Sequence, residues 1–293
     1  MKVVVLGSNG QLGSDVCAAF YQNGDEVIGL THADMELTSA SSVEAALSAA
    51  EPEFIVHTAA MHHVDKCQSD PAGAFAVNAI GTKNVAEWAQ RLGATLAFVS
   101  TDYVFDGKKT DPYLETDVAN PLNVYGISKL AGEHFGAAIA PKCFVLRVSA
   151  IYGHQPCRAK GGLNFVELML KLSRERDTLR VVDDEFVSPT PTVQIAAQLV
   201  ALSRSTNYGL YHGTAEGSCS WYEFAGEIFR ATGTKVRLER ASPGEFPAKV
   251  PRPKYSVLEN QALKAAELNQ FTDWRDGLEN YLSARGRLAA NPS

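Results

Sequence analysis

The sequence predicts an α/β fold: a doubly wound parallel sheet with a smaller C-terminal substrate lobe. Short continuous apolar runs recur with room for a crossover helix between them, the intervening segments carry helical spacing, and a glycine-rich turn follows the first run. The runs are Val3-Leu6, Val27-Leu30, Phe54-Val56, Leu96-Val99 and Phe144-Val148, the pattern of parallel strands buried on both faces. Helical spacing covers Leu12-Tyr21, Ser42-Ala49, Ala72-Arg91 and Tyr125-Ala138, and Ser41 with Glu44 predicts a capping box at the start of the second. After about Tyr152 the rhythm loosens, and Pro189, Pro191, Pro243, Pro247, Pro251 and Pro253 interrupt the chain. Helices are expected there at Phe165-Arg174, Val193-Ser203 and Trp221-Ala231, the last with a Ser220/Glu223 capping box. Residues 1–152 are read as the dinucleotide-binding domain and 153–293 mainly as the substrate lobe, with about 184–214 returning to the first domain. The cleft between them is the expected ligand site.

Bulk composition removes several function classes. The chain has 293 residues, enough for one large or two modest domains, and its 27 Lys and Arg against 33 Asp and Glu leave a net charge of -6. That sign disfavours a nucleic-acid partner. The opening apolar run stops at Gly7, too short for a signal-peptide core, and no run approaches the ~20 residues that span a bilayer. Cys17, Cys67, Cys143, Cys157 and Cys219 are scattered and odd in number, which fits small buried thiols in a cytoplasmic protein better than disulfides or zinc.

Gly7-Ser8-Asn9-Gly10-Gln11-Leu12-Gly13 lies between the first strand and the first helix, where backbone amides and the helix N-terminus converge on a point suited to a pyrophosphate. The second strand ends Leu30-Thr31-His32 without the acidic residue that grips a ribose 2′-hydroxyl, so NADPH is expected as well as NADH. Tyr125 and Lys129 are four residues apart on one helical face, where an ammonium can lower the pKa of a phenol and tune it as a proton donor. Together with Thr101, which closes an apolar run, they predict an enzyme that moves a hydride and a proton onto a ketone.

With these elements assembled, the chain resembles the dTDP-4-dehydrorhamnose reductase family of extended short-chain dehydrogenase/reductases. The resemblance runs through Gly7 to Gly13, Val64-Asp65-Lys66, Val77-Asn78-Ala79, Ser100-Thr101-Asp102-Tyr103-Val104-Phe105 and Pro121-Leu122-Asn123-Val124-Tyr125-Gly126. It continues through Lys129-Leu130-Ala131-Gly132-Glu133, Asn164-Phe165, Ser188-Pro189-Thr190, Gly209-Leu210-Tyr211-His212 and Arg252-Pro253-Lys254-Tyr255-Ser256. It implies hydride transfer from nicotinamide to C4 of a nucleotide-linked 4-keto-6-deoxy sugar, with Tyr125 donating the proton. Thr101 would bond the keto oxygen, and Lys129 would tune Tyr125 and hold the nicotinamide ribose. The implied cofactor residues are Gly7, Asn9, Gly10, Gln11, Leu12, Gly13, Glu36, Leu37, Thr58, Ala59, Ala60, Asn78, Ser100, Tyr125 and Lys129. The implied substrate residues are His62, Val64, Thr101, Asp102, Tyr103, Ala150, Asn164 and Arg252, the last clasping the diphosphate.

Asp102 is followed by Tyr103, without the second carboxylate that related dehydratases use to remove water, which favours plain reduction. Departures from the family concentrate near the sugar: Val148-Ser149-Ala150 replaces its usual Thr-Ser-Trp, and Met61-His62-His63 stands where it usually has a Thr. The identity of the sugar is therefore open, and a different nucleotide sugar is an alternative substrate. Relatives also include epimerases and the non-catalytic regulatory β subunit of methionine adenosyltransferase, which would not require Thr101, Tyr125 and Lys129 together. Some relatives are thought to use magnesium at a subunit contact. No compact carboxylate cluster demands it here, so no metal ligand is assigned, and a homodimer is compatible with the sequence.

Overall fold

The computed structural model describes residues 1–156, 161–242, 244–246 and 248–289; the expectations for Cys157, Pro243 and Pro247 fall outside them. The first half runs β1 (Lys2–Leu6), α1 (Gln11–Gln22), β2 (Glu26–Leu30), α2 (Ala40–Ala50), β3 (Phe54–His57), α3 (Val64–Ser69), α4 (Pro71–Phe75), a π-helical turn (Ala76–Ile80), α5 (Gly81–Leu92), β4 (Thr95–Thr101), α6 (Val124–Ile139) and β5 (Cys143–Val148). The second half runs β6 (Ile151–Tyr152), α7 (Phe165–Glu175), β7 (Thr178–Val181), β8 (Phe186–Val187), β9 (Thr190–Pro191), α8 (Thr192–Ser203), β10 (Gly209–His212), β11 (Cys219–Ser220), α9 (Trp221–Thr232), β12 (Arg237–Arg240), α10 (Gln261–Ala265) and α11 (Trp274–Ala284).

Six strands form one parallel sheet in the order β10-β5-β4-β3-β1-β2. Successive β1 side chains enter opposite layers, Val3 and Val5 one and Val4 and Leu6 the other. The first layer is closed by Val16 and Phe20 of α1 and Ile195 and Leu199 of α8, and the second by Val43 and Leu47 of α2 and Val85 and Ala89 of α5. Both faces are covered, which is why the strands read as unbroken apolar runs. A separate core, containing Tyr152, Phe224 and Trp274, joins α7, α9 and α11 beside the sheet. No helix among the described residues is long and apolar enough to cross a membrane.

Two local expectations are corrected. The N-cap of α2 is Ser39, whose hydroxyl accepts from Ser42 N, and Ser41 lies inside the first turn, so Ser41 and Glu44 form no capping box. Serines at 39 and 41 both fit the pattern, and the chain places the extended residue at the earlier one. The continuous helix expected over Ala72-Arg91 is instead α4, the π turn and α5, a widened turn that periodicity does not register. The Ser220/Glu223 capping box of α9 is present in both directions.

Close packing fixes α6 on the π turn. A Cβ at Gly132 would lie 2.5 Å from Asn78 O and 2.9 Å from Phe98 Cζ, one a backbone atom and the other a buried ring. Gly132→Ala is therefore expected to destabilise the fold by about 1–3 kcal/mol through overpacking, measured by urea or thermal unfolding. An unchanged stability would show that α6 can move away from the turn freely.

Candidate active site

The glycine turn sits at the carboxyl end of β1. Gly7 N and Ser8 N bond Leu30 O, and Gly10 N bonds Gly7 O, which folds the loop back beneath the start of α1. Gly7 has φ 81°, and a Cβ there would meet the Ala59 backbone at 3.0 Å; a Cβ at Gly13 would collide with Gly7 O. Gly10 caps α1 without a side-chain bond, so the first-turn amides remain available to an anion. The cradle therefore fits a dinucleotide phosphate. Leu12 and Leu37 are buried in opposite layers, and only their backbone can face a ligand. Gln11 Nε2 instead crosses to the second lobe, bonding Gly153 O at 3.4 Å and Gln155 O at 3.0 Å.

Around the same edge, Thr58 Oγ1 donates to Leu6 O at 2.7 Å and presents Ala59 and Ala60 beside the glycine turn. Glu36 is turned onto Thr38 N and Oγ1, at 2.9 and 2.8 Å, and lies 3.2 Å from His32. Those Thr38 bonds hold its carboxyl below the usual range. Asp34 folds back on Thr31 N and Oγ1, at 2.8 and 2.6 Å, so an acidic group does stand at the end of β2 although the strand sequence lacks one.

Thr101 ends β4 and Tyr125 lies in the first turn of α6, whose N-cap Asn123 accepts from Gly126 N and donates to Pro251 O at 2.9 Å. The Thr101 hydroxyl is near enough to the Tyr125 phenol to favour its ionised form. Thr101 Oγ1 donates to Asp102 Oδ1 at 2.9 Å, while Asp102 Oδ2 accepts from Ser149 Oγ at 2.9 Å. Burial raises the Asp102 carboxyl, and the hydroxyls of Ser256, Ser149 and Thr101 oppose that shift. The Tyr103 ring stands edge-on to Tyr125, with centroids 5.8 Å apart.

Lys129 departs from the sequence expectation. Its Nζ donates to Val99 O at 2.7 Å and lies 4.0 Å from the Phe98 ring centroid, so its hydrogen bond goes to the strand backbone rather than to the phenol. Burial raises the Tyr125 phenol well above its ordinary value, with Thr101 opposing and Asp102 reinforcing, and pulls Lys129 down to about 7 against Glu133. The reason is dielectric: the i, i+4 spacing puts both groups on one face, but desolvation penalises both charged forms before either acts on the other. Ser100 Oγ is likewise committed inward, to Glu133 Oε1 at 2.5 Å.

Asn78, at the centre of the π turn, joins three elements. Its Oδ1 accepts from Met61 N, and its Nδ2 donates to Met61 O and Ser128 Oγ, each at 2.9 Å. It therefore holds the loop carrying His62 and Val64 against α6. His62 is exposed, with Nδ1 3.4 Å from Ala60 O, and Val64 begins α3 behind the N-cap His63. Ala150 has φ 45°, uncommon for a residue with a Cβ, next to Ser149. Asn164 caps α7 and spends its amide on Gly153 O and Tyr281 Oη, both at 3.0 Å, so its polar atoms are used within the lobe. Arg252 is exposed beside a cavity of about 420 Å³. Its charge acts on Tyr103 and Glu185, while Arg240 and Lys254 there pair with Asp183 and Asp184 at 2.5 and 2.7 Å.

The family model described as the RmlD substrate binding domain matches residues 1–286. The chain belongs to this family. It is 39% identical to the spore coat polysaccharide biosynthesis protein SpsK of Bacillus subtilis, over 97% of this chain and 98% of that protein. A dTDP-4-dehydrorhamnose reductase of Clostridium acetobutylicum superposes with a TM-score of 0.93 at 38% identity, covering 98% of this chain and 100% of that one. A dTDP-4-dehydrorhamnose reductase of Bacillus anthracis in complex with NADP gives 0.92 at 36% identity, covering 97% and 100%.

Within this RmlD-family fold, Thr101, Tyr125, Lys129 and the glycine turn gather at the carboxyl edge of the sheet, with Asp102 and Tyr103 adjoining. Sequence reasoning gave no role to Ser149, Ser256, Ser128, Glu133 or Arg147. The Tyr125, Lys129, Glu133 spacing could have flagged one of them, whereas the serines lie far along the chain and carry no local signal. Among the described residues no group of His, Cys, Asp and Glu could hold a metal.

The buried ammonium sets a pH dependence of stability. Because Lys129 falls from 10.5 to about 7, the unfolded chain holds more protons between those values, and stability rises with pH across that window. The unfavourable burial is fully present below about 7. Lys129→Met is expected to melt above wild type at neutral and lower pH, with the difference shrinking towards pH 10.5 in thermal scans. A variant that melts below wild type throughout would contradict the assigned burial of the charge.

Proposed function

We propose that this chain reduces the C4 keto group of a nucleotide-linked 4-keto-6-deoxy sugar, dTDP-4-dehydrorhamnose, to the corresponding alcohol, dTDP-L-rhamnose. The chain is an NAD(P)H-dependent oxidoreductase. The observation that carries the finer reading is the placement of Thr101 at the carboxyl end of β4 and Tyr125 in the first turn of α6, with the glycine turn at the carboxyl end of β1 in the same sheet. Reductases among its relatives, and the NADP held by one of them, support the same substrate class.

In this reading the amides of Gly7 to Gly13 and the α1 N-terminus hold the cofactor diphosphate, and Thr58, Ala59 and Ala60 line its inner ribose. Glu36 and Leu37 lie towards the adenine. The bound cofactor supplies a hydride from its reduced nicotinamide. Tyr125 gives its proton to the ketone oxygen as that oxygen gains negative charge, and its raised pKa keeps the proton in place until then. The Thr101 hydroxyl turns from Asp102 to the same oxygen and stabilises the developing alkoxide. Lys129 turns from Val99 O to the nicotinamide ribose and the phenol, where its positive charge stabilises the phenolate left when the proton departs. Residues 1–152 hold the dinucleotide, and the lobe from 153 onward, with 184–214 returning to the sheet, holds the sugar nucleotide through Arg252, Tyr103, His62 and Ala150.

Tyr125→Phe is expected to lower kcat by roughly 10²–10⁴-fold with little change in cofactor affinity, because one proton donor is lost and the cradle is untouched. The assay follows loss of reduced-cofactor absorbance over a panel of nucleotide-linked keto sugars. Equal turnover by the variant and wild type would refute Tyr125 as the donor. Turnover of another sugar alone would refute the rhamnose assignment and leave the reductase reading in place.

A further inference from the structure

Tyr125, Lys129 and Glu133 recur every four residues, so one stripe of α6 carries a phenol, an ammonium and a carboxylate in succession. The last is held rigidly. Glu133 Oε1 accepts from Ser100 Oγ at 2.5 Å and Arg147 Nε at 2.9 Å, and Oε2 accepts from Arg147 Nη2 at 2.6 Å. A two-pronged guanidinium contact of this kind fixes the carboxylate plane, and the whole cluster is buried. Lys129, one turn earlier, can offer three donors but makes a single hydrogen bond, to Val99 O.

The charged and titratable groups around Lys129 are Glu133 on α6 with its partner Arg147 on β5, His57 on β3, and Tyr125 four residues earlier on α6. His57 is buried with Nε2 3.2 Å from Thr82 Oγ1, and burial and the Lys129 charge depress it to about 3, so it supplies no negative charge and remains neutral. Arg147 is a cation already matched to Glu133. Among the described residues, Glu133 is the carboxylate that favours a charged Lys129.

We propose that Glu133 is a positioning residue for the reduction assigned above, on which this inference rests: clamped by Ser100 and Arg147, its carboxylate keeps the Lys129 side chain as an ammonium on the Tyr125 face of α6. Without it, Lys129 would lose its proton at a lower pH and with it the ability to hold a ribose or act on the phenol. Arg147 and Ser100 serve this arrangement by preventing the carboxylate from turning away.

The test compares the full chain with Glu133→Gln. Lysine side chains are titrated by NMR on isotope-labelled protein, with Lys129→Met identifying the resonance. The Lys129 midpoint is expected to fall by about one pH unit or more, a tenfold loss of proton affinity, and the alkaline limb of kcat/KM should move down with it. A variant that unfolds cooperatively while its Lys129 midpoint stays at the wild-type value overturns the proposal. Should the lone Arg147 prevent folding, Glu133→Gln combined with Arg147→Met removes both buried charges, and a smaller shift in the same direction is expected. No shift in that pair overturns the proposal equally. A shifted midpoint in Glu133→Gln, together with a wild-type chain that reduces no sugar, would retain the electrostatic link and reject the enzymatic role, so the two failures are distinguishable.

Discussion

The Lys129 ammonium enters the interior between β4 and α6, and the architecture of the site follows from the need to keep it there. Removing an ion from water costs several kcal/mol even after local relaxation. One backbone carbonyl and the face of Phe98 offset only part of that. Glu133 favours the charged form without fully offsetting that cost, since Lys129 still falls to about 7, and Glu133 is itself tolerable in the interior because Arg147 on the neighbouring strand and Ser100 at the end of β4 satisfy it. β4, β5 and α6 are thus joined by charge as well as by packing. The register that pairs Ser100 with Arg147 and Thr101 with Val148 sets the buried ion pair and the Thr101 hydroxyl side by side, one on each face of the sheet.

The opposite face of that edge uses neutral donors for a comparable purpose. Asp102 is almost wholly buried, yet Thr101 and Ser149 bond its two oxygens and Ser256 adds a third hydroxyl. This immobilises the carboxyl that holds the Thr101 hydroxyl in this structure. The π turn does the same for the other side of the cleft. By clasping Met61 in both directions and reaching Ser128, Asn78 ties the β3–α3 loop to the helix that carries Tyr125 and Lys129. A regular α-helix in place of the π turn would rotate Asn78 away from one of these partners.

Much of the fold was legible because burial on both faces leaves the middle of the inner strands apolar, and each of the five apolar runs coincides with a strand of the central sheet. The edge strand β10 was not read as a strand, since Gly209-Leu210-Tyr211-His212 is short and mixed in polarity. The site was legible where chemistry is encoded by local spacing, as in the glycine turn and the Tyr125–Lys129 pair. It was not legible where partners come from distant segments. Ser149 and Ser256 reach Asp102 from positions with no sequence pattern in common, and the direction of Lys129 Nζ depends on the depth of β4 beneath α6 rather than on helix period.

The link between lobes rests on Gly153. Its carbonyl accepts from Gln11 Nε2, Asn164 Nδ2 and Tyr281 Oη, so the first turn of α1, the cap of α7 and the middle of α11 converge on one oxygen. No side chain fits there, because a Cβ would strike Thr192 Oγ1, which is bonded to Asp15 of α1, and would come within 3.0 Å of Gln11 Cγ. Gln11 opens α1 directly after the glycine turn, and Tyr281 belongs to the core that joins α7, α9 and α11. The first turn of α1 and the α7–α9–α11 core thus share one hydrogen-bond acceptor, at a position where any larger residue would separate them.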